Sequence, residues 1–402
     1  MNIFQPFNSL KEHLFAKLYF AQLISLIGDS CTWIGVALLA FEFGGAQSAK
    51  ILATALTLRV TAFILFGSYA GVIADRFNRK KILIITNLAR MSIVLTLVFI
   101  NAVWQLYVLI FLLNVFNAFF APAYKSSIPQ LISKKENYGN AITLSNATWQ
   151  LLGMLGPGLA GALAFWFGSR QLFFFDSFTF VLSSLLVLMI PMKSVNAKAK
   201  ISFRSFTNIW KDMVKGTKLL FNNSPIRFAL LIEFVAAIAG AQILVNTVGF
   251  VKGNLMLSDI EYGWAMTGFG IGATIAAFLA NTIDNSKNKA ILLTVGALML
   301  VISVSLANFA SFHVLILLWV IAGLGQSFTE VPSQILIAEN IELKEQGKVY
   351  GSHFAWSHLW WAIGYPIAGF AGIYFNGNEF IIGGLLSLLL LGILFVYRKV
   401  NK

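Results

Sequence analysis

The residues of this chain best placed to do chemistry are ionisable side chains that interrupt long apolar runs. Asp29, Arg59 and Glu233 each lie in such a run. A charge in hydrocarbon is expensive, so one that is kept marks a proton relay, a substrate path or a buried pair. Gln22, Ser25 and Asp29 stand at i, i+3 and i+7, on one helical face that Thr32 continues. This polar stripe predicts a cavity or a polar neighbour. Counted along the helix, Asp29 lies roughly 18 Å from one end of its span, and Arg59 roughly 12 Å from the opposite side. The two therefore reach nearly the same depth, and an Asp29–Arg59 interaction is expected. Two roles stay open for it: a fixed structural ion pair, or a pair broken when Asp29 takes a proton. Glu233, about 10 Å from the end of its span, is a second proton-coupling candidate, with snorkelling to the interface as the competing role. Gln242 and Asn246 fall on the opposite face of the same helix. Arg90 and Glu330 read as gate residues near the inner side, and Asp176 as an interfacial cap.

The elements that must carry these residues follow from composition. The chain has 402 residues, 58% of them hydrophobic, only 11% charged, and a mean hydropathy of +0.78. Soluble domains carry roughly 25% charged residues, so a soluble reading fails. Residues 91–124, 137–169, 290–329 and 349–378 contain no Asp, Glu, Lys or Arg. A span needs about 20 apolar residues. Hydropathy and turn signals predict an all-α membrane protein with twelve transmembrane helices. Their cores are 17–40, 51–74, 82–100, 106–124, 140–164, 171–190, 226–250, 263–281, 290–307, 314–335, 350–374 and 380–397. With the N-terminus inside, 24 of the 29 Lys and Arg fall on the inner side and three on the outer. That asymmetry places both termini in the cytoplasm. It also accounts for the net charge of +13 without a nucleic-acid partner. No signal peptide is visible, and the single Cys31 excludes an intrachain disulfide.

The spans divide as 1–190, a six-helix bundle; 191–225, a basic cytoplasmic linker; and 226–402, a second six-helix bundle. An internal repeat relates the bundles. Pro122 matches Pro332, Gly156-Pro157 matches Tyr365-Pro366, and Gly168 matches Gly377, at offsets of 209 or 210. Two pseudo-symmetric halves with a substrate site between them are common among secondary transporters. Within the linker, 202–221 reads as an amphipathic helix suited to the inner headgroup surface, so membrane lipid is a partner.

One motif points to a family. Gly71, Asp75, Arg76, Asn78, Arg79, Lys80 and Lys81 closely match G-x-x-x-D-R-x-G-R-[KR]-[KR], with Asn78 in place of glycine. This resembles the loop signature of the major facilitator superfamily, and it lies between the second and third spans as it does there. Asn tolerates positive φ better than most residues, so the turn is expected to survive. Gly153, Gly156, Pro157 and Gly161 resemble the glycine-proline motif of the family's antiporters. The order of features also resembles the drug–proton branch that includes macrolide efflux proteins and the enterobactin exporter. The resemblance implies a gate latch built from Asp75, Arg76, Arg79, Lys80, Lys81 and Arg90. Many drug–proton antiporters carry a basic residue in the fourth span. Here that span offers only Asn114 and Asn117.

Aromatics make up 14% of the chain. Trp149, Trp356 and Trp360, with Gln150 and Gln326, complete the candidate substrate cavity, which would suit a bulky amphipathic small molecule. No Walker A, nucleophile elbow, His-Glu-x-x-His or Cys-x-x-Cys pattern is present. His353 and His358 are five residues apart and share no face. No enzyme activity, cofactor or metal is therefore implied. The expected function is proton-coupled efflux of a drug, macrolide-like molecule or siderophore by a monomer in the inner membrane. Uptake or facilitated movement of a nutrient or lipid, and a non-transporting receptor of the same fold, are the alternatives.

Overall fold

The computed structural model describes residues 5–132, 135–192, 203–280, 286–375 and 377–400. Among them are thirteen α-helices and no strand. In order these are α1 (His13–Gly44), α2 (Ser48–Arg76), α3 (Arg79–Leu97), α4 (Val103–Leu131), α5 (Lys135–Phe167), α6 (Gln171–Leu188), α7 (Phe203–Asn222), α8 (Ser224–Gly249), α9 (Asp259–Ala280), α10 (Ser286–Leu306), α11 (Phe312–Asn340), α12 (Leu343–Tyr374) and α13 (Glu379–Val400). Helices α1–α6 and α8–α13 fall on the twelve expected spans, and α7 on the amphipathic linker. Several run past the expected apolar cores: α5 has 33 residues and α12 has 32. Backbone hydrogen bonding continues into the polar ends of these segments, where hydropathy no longer marks it. Seven described stretches are long and apolar enough to cross a membrane, among them Val103–Leu131, Ser224–Asn254 and Phe312–Asn340.

The helices gather into two compact units, Met1–Leu39 with Thr61–Lys200, and Ala40–Val60 with Ile201–Lys402. Residues 40–60, drawn with the first bundle in the sequence, group with the second unit. Each half shows the repeat in its backbone. Gly168 after α5 has φ +91° and Gly377 after α12 has φ +86°, so the paired glycines make the same left-handed turn, which suits a residue without Cβ. Pro122 and Pro332 both lie inside their helices, α4 and α11.

Local chemistry sets the helix ends. Asn223 caps α8, its side chain accepting from the Ile226 N–H at 3.2 Å, with a proline in the first turn. Asn78 caps α3 in the same way, accepting from Lys81 N–H at 3.2 Å. Its φ is −63°. The residue that replaces the motif's glycine therefore serves as an N-cap and needs no left-handed backbone. In the second unit, α9 and α11 touch backbone to backbone: a Cβ on Gly272 would overlap the Val320 carbonyl, and one on Gly323 the Phe269 carbonyl. Small residues at such crossings replace the hydrophobic driving force that lipid removes.

Candidate functional site

In the first unit, α1, α3, α4 and α6 bring together three charges. Gly28 makes this possible, because a Cβ there would fall inside contact distance of Thr179 and Asp176 on α6. Asp176 is fully buried. It accepts from Thr32 Oγ1 at 2.5 Å through one carboxylate oxygen and from Thr179 Oγ1 at 3.1 Å through the other. It is thus a buried network residue and not the interfacial cap expected from its place near the end of its span. Asp29 and Arg90 both act electrostatically on Asp176, and the two aspartates on Arg90.

Arg90 is only 2% exposed. Its Nη1 donates to Asn117 Oδ1 at 2.8 Å and its Nη2 to Asn87 Oδ1. The guanidinium lies 4.2 Å from the Phe120 ring centre and 4.4 Å from that of Phe180, within cation–π range. Arg90, grouped with the gate in the sequence, is therefore enclosed beside the aspartates. Asn117 in turn donates to Asn114 Oδ1 at 3.4 Å, and Asn114 donates to the Ile110 carbonyl at 2.8 Å. On the Asp29 helix, Ser25 is buried and Gln22 half-buried, with its Oε1 enclosed.

The second unit holds a different cluster. Glu233 on α8 is 6% exposed and its Oε1 lies 2.9 Å from His353 Nε2 on α12. It does not snorkel. His353 Nε2 is also 3.4 Å from Ser333 Oγ, and Gln326 donates to Glu330 Oε1 at 2.7 Å. Glu330 interacts electrostatically with Glu233 and His353. Glu330 therefore belongs with this buried group. Arg59 is half-buried on the part of α2 that groups with this unit, and its charge acts on His358 and Tyr365.

The remaining candidates fall into place around these. Gln242 and Asn246 lie opposite Glu233 and are buried in helix packing. Asn246 donates to Gln242 Oε1 at 2.8 Å and to the Ala368 carbonyl at 3.1 Å. Trp356 donates to Thr217 Oγ1 at 3.3 Å, and its ring packs at a tilt on Trp360, which meets Phe234 at 4.6 Å. Trp149 is 57% exposed. Of the gate motif, Arg79 donates to the Ala74 and Ser126 carbonyls at 3.2 and 2.8 Å. Lys80 donates to those of Leu188 and Ile190 at 2.7 and 2.9 Å. Gly71, Asp75, Arg76, Gln150, Gly153, Gly156 and Pro157 lie in helices, but their side chains fall outside the described ones; Gly161 is buried in α5.

Sequence reasoning named Asp176 as a cap and Glu330 as a gate residue, and missed the buried network around the first and the association of the second with His353. The repeat held a clue to the second, because Gln326 stands 209 residues after Asn117, the partner of Arg90.

Two units built of long apolar helices, each with a buried polar cluster, are the make-up of a multi-pass membrane protein. The Major Facilitator Superfamily model matches residues 18–253 and 230–402, and the chain belongs to that family. Over 349 residues it is 23% identical to macrolide efflux protein A of Streptococcus pyogenes, covering 84% of each chain. It is 24% identical to the uncharacterized MFS-type transporter YfiS of Bacillus subtilis, covering 83% of this chain and 80% of that one. It is also 24% identical to the putative bacilysin exporter BacE of the same organism, over 83% and 82%. Among solved structures, a bacterial homolog of the human lysosomal transporter Spinster, inward-facing and occupied, shares the fold with a TM-score of 0.72 at 13% identity, over 97% of each chain.

Proposed function

We propose that the protein is a proton-coupled exporter of a small amphipathic compound, of the drug, macrolide or siderophore kind. The observation that carries this reading is the buried group of Asp29, Asp176 and Arg90. Two carboxylates here act on one guanidinium, so a proton taken up by one carboxylate changes which of them the guanidinium holds. Asp29 is the half-buried member of the three, so it is the one assigned to exchange that proton. Arg90 then supplies the fixed cation that the fourth span lacks. A proton that arrives removes the attraction between Asp29 and Arg90, and that change in pairing is what couples to the conformational cycle. Export is supported by the relatives named for efflux of macrolides and for export of bacilysin. The distribution of Lys and Arg supports an inner-membrane protein with both termini in the cytoplasm. A monomer suffices for this cycle.

The test is substrate-evoked proton movement in proteoliposomes, native protein against Asp29→Asn, with a panel of lipophilic cations, macrolides and apo-siderophores. Proton flux evoked by one compound in the native protein and lost in the variant is the expected result. Substrate flux that moves no protons and is unchanged by Asp29→Asn would replace antiport with facilitated transport.

A further inference from the structure

We propose that Glu233, Glu330 and His353 form a second proton-binding site, built within the second unit and independent of Asp29. Three helices meet here, α8, α11 and α12, and each contributes one titratable side chain. Glu233 and His353 are buried and Glu330 is half-buried, and the Glu233–His353 contact of 2.9 Å is direct. With both carboxylates ionised and the imidazole neutral, the cluster would carry two negative charges out of water, which is far costlier than sharing protons. Two enclosed acceptors stand without a hydrogen-bond donor among the described residues, Glu233 Oε2 and Gln326 Oε1. A proton on the carboxylates supplies a donor that this set of acceptors lacks.

Several cations of the second unit have partners of their own. On α12, Lys348 pairs with Asp212 and Glu345, and Lys215 of α7 with Glu345. Lys289 of α10 pairs with Glu339 of α11 at 2.5 Å, and Lys252 with Asp259 of α9. Arg227, at the start of α8, donates to the Phe221 carbonyl. Arg59 is the nearby cation, acting on His358 and on Tyr365, which also feels Glu330. Glu379 of α13 accepts from the Gly377 N–H, at the far end of α12. Among the described residues, no three His, Cys, Asp or Glu side chains are set to hold a metal ion, so the ligand that fits is the proton itself. Groups this close titrate as one system with shared macroscopic midpoints.

The experiment follows the histidine rings by NMR in the full-length protein in micelles as pH is varied. The chain has four histidines, and loss of one signal in His353→Gln assigns its resonance. The expected result is that Glu233→Gln and Glu330→Gln each move the His353 midpoint by more than about one pH unit, with His13 and His313 unmoved. Glu330 makes no direct bond to His353, so its variant reports coupling even if Glu233→Gln fails to fold. A His353 midpoint unchanged in Glu330→Gln overturns the proposal. Asp29→Asn should leave the midpoint where it is, so loss of antiport in that variant and failure of this site are read separately.

Discussion

The two units bury polar clusters of opposite make-up. In the first, Arg90 is a fixed cation, stacked between Phe120 and Phe180, held by Asn87 and Asn117, and set against Asp29 and Asp176. In the second, Glu233, Glu330 and His353 are all titratable, while Lys289 and Lys348 of the same unit pair with other carboxylates. A guanidinium stays charged at any working pH, so the first cluster always sets one positive charge against its carboxylates. The second has no permanently charged group among its three members, so its own charge is set by the protons they share. The same repeat has thus produced one unit whose cluster holds a permanent cation and one whose cluster is built from three groups that all titrate.

The sharpest way to break this contrast is to remove the fixed cation. Arg90→Ala leaves the buried Asp176 and the half-buried Asp29 without their guanidinium, and losing one partner of a buried pair costs about 3 to 5 kcal/mol. Thermal unfolding in detergent should show a large loss. Adding Asp176→Asn should recover part of it, because the surplus charge falls. By contrast, Glu233→Gln alters a cluster with no guanidinium among its three members, and it should cost about 1 to 3 kcal/mol, the penalty of a disturbed buried hydrogen bond. Equal losses in Arg90→Ala and Glu233→Gln, or no recovery in the double variant, would remove the distinction between the units.

How tightly each cluster is framed gives a second, smaller comparison. Gly28 leaves no room for a methyl group against Asp176 and Thr179, short side chains fixed in the network. Gly28→Ala should cost about 1 to 3 kcal/mol through overpacking and should disturb Asp176. At Gly240 the added methyl would meet Trp361 Cη2 at 2.8 Å and Gln326 Oε1 at 2.9 Å. These are the ends of long side chains, which can swing away. The Gly240→Ala loss, read by the same melts, should be the smaller of the two.

Much of this fold was legible because lipid leaves so few options. Charge-free runs gave the twelve spans, and the matched prolines and glycines gave the repeat, which Gly168 and Gly377 carry as the same left-handed turn. The clusters were harder to read. Depth along a helix placed Asp29, Arg59 and Glu233, but depth says nothing about which neighbour a side chain meets. Asp176 looked like a cap because it stands near the end of its span, whereas the close approach permitted by Gly28 turns it inward. His353 was weighed only against His358, because a sequence shows spacing on one helix and not the partner on another. Asn78 was expected to preserve a turn by taking positive φ, and it preserves it by capping α3. The residue type was informative; the mechanism was the part that needed coordinates.

The ends of the units that carry the α2–α3 turn and the α7 linker differ in the same sense, and the smallest predicted effect lies there. In the first unit Arg79 and Lys80 donate to backbone carbonyls, which do not titrate. In the second, α7 is held on α12 by ion pairs among Asp212, Lys215, Glu345 and Lys348, beside the close approach at Gly216 and the bond from Ser352 to the Met213 carbonyl at 3.0 Å. The hydrogen bond from Lys215, aided by Lys348, holds the Glu345 carboxyl below the usual range, and Asp212 raises Lys348. A depressed carboxylate contributes above its unfolded value, about 4.3, and that contribution is lost as pH falls through the lower folded value. A raised lysine contributes below its unfolded value, about 10.4, and fails as pH rises through the higher folded one. The ionic part of the docking is therefore complete between those limits. Because the pairs are exposed, it is also weakened by salt near 1 M, where screening reaches about 3 Å. A spin label at Val214→Cys should become modestly more mobile below that window and in high salt, while one at Lys125→Cys keeps its spectrum. The apolar and backbone contacts at Gly216 and Trp356 remain, so α7 should loosen and stay attached. Full release on acidification would mean that the ion pairs, and not the packing, hold it.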